Sequence, residues 1–366
     1  MSVRSRSLVL SLVVGLVAAA CSLNGGGSPA PTPACSTEPS ATACGLPSAG
    51  ASDAPGSPSV EPSVEPVPLV VGLGFIPSVQ FAPFYLADQT GSYAAAGLDV
   101  EFQNKIDPDL ITLVGQGSVD IGLGDGTSVI PAVSQGIPIR YVASIYGEFP
   151  SIVFAKASSG IAAPADLAGV RLGIPGRYGS SWIMLQALLS SAGLKPDDLE
   201  IVEYPDFGQG AAIIADAVEA ATGFANNEPV QLELTGEEAV VLHVDDVVPL
   251  PGNGLIVGTA TLEAKRDAIA AFVEVTLRAM AEIEADPEVG LDAALVAVPE
   301  LASARETQAA ILAATIDVWR GPVQEAGGLG AISTQDWDRS VAYLESLGLV
   351  PNPVTSADLV DTSLLP

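Results

Sequence analysis

The sequence predicts an α/β fold with parallel-rich sheets and a set of C-terminal helices. From about Val67 onward, short runs of Val, Ile, Leu and Ala alternate with helical stretches. Strands that are nearly continuous apolar runs are typical of parallel sheets covered by helices on both faces. After about residue 260 only helical spacing recurs. The folded part has some 300 residues, which is more than a single hydrophobic core usually supports, so we expect two lobes.

The elements follow from local pattern. Apolar runs bounded by turn residues predict strands at 68–75, 98–102, 120–124, 139–145, 151–155, 170–174, 199–204, 220–225 and 240–244. Helical spacing predicts helices at 83–96, 109–116, 127–135, 180–192, 210–216, 262–285, 287–298, 303–319 and 333–347. In helix 262–285, Ile269, Phe272 and Met280 belong to a single apolar stripe. Ser333 and Asp336 have capping-box spacing, which predicts a helix start there.

Composition excludes several classes of function. The chain has 43 Asp and Glu against 14 Lys and Arg, a formal net charge of −29. Nucleic-acid binding is excluded because it depends on Lys and Arg, and adhesion to an anionic membrane surface is disfavoured for the same reason. All three Cys precede residue 45 and the one His, His243, falls in a predicted strand, where we interpret it as structural. Cysteine or triad catalysis within the fold is therefore not expected.

The first 66 residues predict export and tethering. Arg4 and Arg6 precede the apolar run 8–20, which is shorter than the roughly 20 residues that span a bilayer, so 1–20 is predicted to be a secretory signal. Small residues leading into Cys21 resemble a bacterial lipobox, in which that Cys is diacylated; the alternative is a plain secreted protein. Residues 21–66 are rich in Pro, Gly and Ser, which predicts a flexible tether. Whether Cys35 and Cys44 form a local disulfide stays open.

Polar and aromatic residues collect in the loops that follow predicted strands. Ligands in parallel α/β sheets bind beyond the carboxyl ends of the strands. The candidate ligand-binding residues are Phe75, Gln80, Phe81, Asp125, Thr127, Ser128, Tyr146, Arg177, Tyr178, Gly179, Ser180, Ser181, Trp182, Asn226, Asn227 and Glu228. The rings suit stacking on a flat heteroaromatic, and the amides, hydroxyls and carboxyls suit its edges or a polyol. The amides that open helix 180–192 suit an acceptor, and the arginine suits a bidentate contact.

Each candidate also has a structural alternative that the sequence leaves open. Asp125, Thr127, Ser180 and Ser181 stand where helix caps are common. Aromatic rings often pack in cores, and an arginine among so many acids often forms an ion pair. Taken together, the candidates favour a ligand-binding site, because they fall at the same end of successive strands.

The segments 72–102, 113–130, 173–182 and 226–229 resemble the solute-binding proteins of bacterial importers related to taurine, alkanesulfonate and thiamine-pyrimidine binders. The resemblance covers most of 67–350. It implies a two-lobed type II periplasmic-binding-protein (Venus flytrap) fold that presents a small molecule to an ABC permease and its ATPase. Lobe 1 is expected at 67–154 and lobe 2 at 155–250, and 251–366 returns to lobe 1. The crossings are then expected near Phe154 and at 251–254, and the protein is expected to act as a monomer.

The ligand expectation also comes from resemblance. Residues 74–85 and 176–182 are similar to the riboflavin-binding branch, whereas thiamine-pyrimidine binders usually place an acid and a Trp where this chain has Gly74 and Phe75. The expected ligand is therefore riboflavin or a similar vitamin-like heteroaromatic. A pyrimidine precursor is the second candidate, and a sulfonate or nitrate is the third. The rival class is an enzyme like yeast thiamine pyrimidine synthase, which uses a Cys-rich motif and a sacrificial His; no Cys follows Cys44. A surface scaffold leaves the aromatic loops unexplained. We expect a binding protein with no resident cofactor or metal.

Overall fold

The computed structural model describes residues 65–104 and 109–366. The predicted signal peptide, Cys21, Cys35 and Cys44 lie outside the described residues. Among those described, no helix combines the length and the apolar character that crossing a membrane requires.

The described residues form two five-stranded sheets. The strands are β1 (Val67–Gly72), β2 (Leu98–Gln103), β3 (Ile121–Gly124), β4 (Ile139–Ser144), β5 (Ser151–Lys156), β6 (Arg171–Ile174), β7 (Glu200–Glu203), β8 (Ala220–Phe224), β9 (Ala239–His243) and β10 (Gly254–Gly258). The first sheet has the order β2-β1-β3-β10-β4, and the second has the order β7-β6-β8-β5-β9. Every strand predicted from the sequence is present, with ends that differ by a few residues.

Both sheets are mixed, with one antiparallel strand each. In the first sheet β10 runs antiparallel to β3 and β4, and in the second β5 runs antiparallel to β8 and β9. These are the two strands by which the chain enters a sheet from the other one. Because the chain leaves each sheet at the carboxyl end of a strand, it enters the other sheet from that same side. The entering strand therefore has to run the opposite way to its neighbours.

The crossings lie at residues 145–150 and 244–253. The first comes earlier than the boundary expected near Phe154, because Phe154 pairs with Ala221 and Val241 inside the second sheet. The second crossing begins after His243, earlier than the expected 251–254, and ends just before Gly254, where β10 begins. Strand β10 was not predicted, since a short apolar run flanked by glycines next to a turn gives no period of its own.

Helices cover the sheets and continue to the C-terminus. They are α1 (Ala82–Gln89), α2 (Ser92–Ala95), α3 (Leu110–Gly115), α4 (Gly126–Ser134), α5 (Gly179–Ser191), α6 (Gln209–Ile214), α7 (Glu228–Glu233), α8 (Thr259–Ala285), α9 (Pro287–Ala297), α10 (Arg305–Val318), α11 (Pro322–Gly327), α12 (Thr334–Ser346) and α13 (Ser356–Leu359). The predicted helix 83–96 is two helices because Gly91 takes a left-handed φ of +70°. The helices that were not predicted, α7, α11 and α13, have at most six residues each.

The C-terminal helices pack mainly on the first sheet. The buried stripe of α8 is present as predicted, and Phe272 stacks on Tyr93 with ring centroids 4.9 Å apart. Ser333 caps α12 by accepting a hydrogen bond from the Asp336 amide, also as predicted. Trp337, one residue further, is buried against Tyr141. Residues 254–366 thus complete the core that 67–144 begins.

Candidate ligand-binding cavity

A cavity of about 500 Å³ lies where loops at the carboxyl ends of strands from both sheets meet. Drug-sized ligands occupy cavities of about 300–1,000 Å³. The first sheet contributes the loop after β1 and the end of β3, and the second contributes the loops after β7 and β8. Both crossings, α1 and α10 supply the remainder. The lining residues are Leu73, Gly74, Phe75, Ile76, Ser78, Gln80, Phe81, Phe84, Leu123, Ile145, Tyr146, Asp206, Phe207, Phe224, Asn226, Asn227, Glu228, Asn253 and Ile311.

Two exposed aromatic rings line this cavity from different sheets. Phe75 follows β1 and is 39% exposed, and Phe207 follows β7 and is 55% exposed. Phe207 has a positive φ of 60°, which is rare for a residue with a side chain, and its amide donates to the Tyr204 carbonyl at 2.9 Å. A strained turn thus presents a large ring to solvent, which is a feature found at binding sites.

A chain of hydrogen bonds crosses the buried side of the cavity. The Tyr146 hydroxyl donates to Gln80 Oε1 at 3.0 Å, and Asn226 Nδ2 donates to the Tyr146 oxygen at 3.5 Å and to Thr315 Oγ1 at 2.9 Å. Burial raises the pKa of Tyr146 well above its usual range, so the phenol stays protonated. The chain joins a first-sheet loop, a crossing, a second-sheet loop and α10.

Two buried amide oxygens at the cavity have no hydrogen-bond partner among the described residues. They are Oδ1 of Asn226, whose side chain is only 2% exposed, and Oδ1 of Asn253. Buried polar atoms are nearly always paired, so each of these oxygens at the cavity wall is an acceptor that lacks a donor among the described residues.

The loop after β8 adds a carboxyl group. Glu228 Oε2 accepts a hydrogen bond from the Phe224 amide at 2.8 Å, and the preceding Asn227 accepts one from Gln231 Nε2 at 2.8 Å. Burial raises the pKa of Glu228 and outweighs the opposing effect of its hydrogen bonds. This group therefore ionises less readily than an exposed glutamate.

The cavity brings together Phe75, Gln80, Phe81, Tyr146, Asn226, Asn227 and Glu228 of the residues expected from the sequence. The loop after β3 is not among the lining loops. There, Asp125 Oδ1 accepts from the Thr127 hydroxyl at 2.6 Å and from the Ser128 amide at 3.0 Å, which caps α4. The polar atoms of these three residues satisfy one another at a helix start, which is the arrangement that the structural alternative describes. Burial raises the pKa of Asp125.

The loop after β6 also lies outside the cavity lining. Its candidates are Arg177, Tyr178, Gly179, Ser180, Ser181 and Trp182. Arg177 pairs with Glu203 at 3.4 Å and lies over the Trp182 ring at 5.5 Å, and Ser180 accepts a hydrogen bond from Ser151 at 3.3 Å. Tyr178 is 62% exposed. Arg177, Ser180 and Trp182 thus have partners within the second sheet's own half.

Several lining residues were missed from the sequence. Phe207 and Asp206 follow β7, so the rule applied to the other strands would have found them. Asn253 precedes β10, a strand that the pattern did not reveal, and Ile311 comes from a distant helix. The described residues contain no group of three or more His, Cys, Asp and Glu that could hold a metal ion.

Comparison with known proteins shows the family to which the chain belongs. The sequence profile described as NMT1/THI5 like matches residues 78–289. Riboflavin-binding protein RibY of Chloroflexus aurantiacus is 33% identical over 353 residues, which are 95% of this chain and 94% of RibY. A 4-amino-5-hydroxymethyl-2-methylpyrimidine phosphate synthase of Legionella pneumophila is 28% identical over 225 residues, 60% of this chain and 70% of the synthase.

A solved structure gives the fold. The periplasmic aliphatic sulphonate binding protein SsuA from Escherichia coli superposes with a TM-score of 0.64 at 18% identity, covering 81% of this chain and 97% of SsuA. At that identity the likeness is one of fold alone, and it confirms the predicted α/β periplasmic-binding-protein architecture. With the profile match and the similarity to RibY along nearly the whole sequence, the chain belongs to the NMT1/THI5-like family.

Proposed function

We propose that this chain is the extracytoplasmic substrate-binding component of an ABC importer, and that it captures riboflavin or a closely similar flat heteroaromatic in the cavity between the two sheets. It would deliver this ligand unchanged to a permease and its ATPase. The similarity to RibY along 95% of the chain supports both the class and the ligand.

The observation that carries the proposal is the pair of exposed rings, Phe75 and Phe207, lining one cavity from different sheets. A planar tricyclic ring gains from stacking, at about 0.5–1.5 kcal/mol for each aromatic contact beyond area burial. The polar side chains around the rings supply acceptors for the ring edge and for a polyol chain.

The charge of the lining favours an uncharged ligand. Its only ionisable acids and bases other than Tyr146 are Asp206 and Glu228, and no Lys or Arg is among the described residues that form it. A sulfonate, nitrate or phosphate ester would enter this cavity without a cationic partner and beside two carboxyl groups. Neutral riboflavin meets no such penalty, so we place sulfonates and nitrate last.

Catalysis is less well supported than binding, although a pyrimidine phosphate synthase is a relative. Neither an imidazole nor a thiol is among the lining residues. His243 lies in β9 opposite Ile152 and away from the lining, and the sequence has no Cys after Cys44. The lining residues offer no nucleophile of that kind, which supports binding over catalysis.

Delivery to a permease fits the N-terminal sequence. We propose that Cys21 carries the lipid anchor and that 22–66 is the tether that lets the binding domain reach the permease. A tether of this length and composition spans on the order of 40 Å as a flexible coil.

The test is a titration of riboflavin fluorescence with the purified chain. We expect quenching with submicromolar affinity and binding of flavin mononucleotide that is at least about tenfold weaker, because the phosphate has no cationic partner. No quenching, together with thermal stabilisation by a thiamine-type pyrimidine, would transfer the proposal to that ligand.

A further inference from the structure

The side-chain amide of Asn226 has an orientation that its neighbours determine. The Thr315 hydroxyl donates its hydrogen to the Ile311 carbonyl at 2.7 Å. Its oxygen can therefore only accept from Asn226, and the Asn226 atom 2.9 Å away must be the amide nitrogen.

The second hydrogen of that amide is committed in the same way. Tyr146 donates its hydroxyl hydrogen to Gln80 Oε1, so its oxygen accepts from Asn226 Nδ2. A tyrosine phenol is protonated at physiological pH, and burial raises the pKa of Tyr146 further, so the phenol keeps this hydrogen. Both Asn226 N–H groups are thus directed to protein oxygens.

The carbonyl oxygen is the group left over. Asn226 is more than nine-tenths buried and lines the cavity, and its Oδ1 has no partner among the described residues. A buried acceptor without a partner costs free energy that a donor on a ligand recovers. A ligand that places an acceptor atom next to Oδ1 would be disfavoured, because the lone pairs of the two acceptors repel each other.

We propose that Asn226 Oδ1 is a specificity-determining acceptor that selects ligands presenting an N–H or O–H at this point of the cavity, and that Thr315 and Tyr146 are the residues that position it. The inference rests on the proposed function and deepens it. A riboflavin molecule has two sources of such a donor, the single imide N–H of its ring and the hydroxyls of its ribityl chain.

Three flavins separate these sources. Riboflavin carries both donors, 3-methylriboflavin lacks the imide N–H, and lumiflavin lacks the ribityl hydroxyls. We expect the wild-type chain to bind one of the two analogues about five- to tenfold more weakly than riboflavin, the range of one hydrogen bond. The analogue that binds more weakly identifies the donor group that Asn226 Oδ1 accepts from.

The positioning role is tested with Thr315→Val, which keeps the shape of the side chain and removes the acceptor for Nδ2. Thr315 is not among the cavity-lining residues. We expect the variant to bind riboflavin about five- to tenfold more weakly and the weakened analogue with unchanged affinity, so the ratio of the two dissociation constants falls toward one. Thr315→Ser keeps the hydroxyl and should restore the wild-type ratio. Tyr146→Phe removes the other acceptor and provides a second variant if the buried Val substitution perturbs folding.

The ratio of the dissociation constants for the analogue and for riboflavin distinguishes failure of this inference from failure of the proposed function. An unchanged ratio in both Thr315→Val and Tyr146→Phe, or equal affinity of the wild type for all three flavins, would overturn the role of Asn226 and leave riboflavin binding standing. Failure of the wild type to bind any of the three flavins would overturn the proposed function and this inference with it.

Discussion

Phe75 and Phe207 line a single cavity although the loops that carry them follow strands of different sheets. Neither ring is buried in a core, since they are 39% and 55% exposed. Their placement makes the cavity a joint product of both halves of the chain, and ligand affinity should depend on each half separately.

The two rings are therefore the first target. Phe75→Ala and Phe207→Ala should each weaken riboflavin affinity about tenfold, because each removes one stacking surface of about 0.5–1.5 kcal/mol together with some buried area. Fluorescence titration measures this, and thermal unfolding should show little change because both rings are exposed. Tyr178→Ala is the matched control, an exposed ring in the loop after β6 that lies outside the cavity. A loss of affinity in the control but not at Phe207 would contradict this assignment of the site.

Asp125 should matter for stability and not for the ligand. Its carboxyl caps α4, and replacing an N-cap by Ala costs about 0.5–2 kcal/mol. Asp125→Ala should lower the free energy of unfolding by that amount in urea titrations, while Asp125→Asn, which still accepts from the Ser128 amide, should lose less. Riboflavin affinity should be the same in both variants. If either variant lost riboflavin affinity while its free energy of unfolding stayed at the wild-type value, Asp125 would have to be assigned to the binding site.

Glu228 should make stability depend on pH. Because burial raises its pKa in the folded state above that in the unfolded chain, the folded state holds the proton more tightly. Its contribution is fully present below the ordinary glutamate pKa and is lost as pH rises through the raised value. Urea unfolding between about pH 4 and about pH 8 should show that Glu228→Gln gains stability relative to the wild type as pH rises. A difference that is constant across this range would contradict the raised pKa.

Cys21 should hold the protein at the membrane. Cys21→Ser removes the thiol that receives the lipid, so the chain should move from the membrane fraction to the soluble fraction when both are probed by immunoblotting. Cys35→Ser is the matched control and should leave the distribution unchanged. Continued membrane association of the Cys21 variant would exclude lipidation at this position.

The sequence predicted the strands and most long helices because each carries its own period or cap, as at Ser333 and in the stripe that includes Phe272. It could not reveal β10, whose five residues show no period and which is stabilised by pairing with β3 and β4. The rule that ligands bind at strand ends selected Phe75, Asn226 and Glu228, which the structure brings together at the candidate cavity. The rule does not say which loops converge, so Asp125 and Arg177 were included although local partners occupy them.

The position of β10 between β3 and β4 has a consequence for how the chain is made. Residues 151–243 contain all the strands of the second sheet in one continuous stretch, so that half has its full set as soon as it leaves the ribosome. The first half instead lacks the strand between β3 and the edge strand β4 until β10 has been synthesised, roughly a hundred residues after β4. We therefore expect the unpaired strand edges of the nascent first half to make it more prone to aggregation than the second half during that interval.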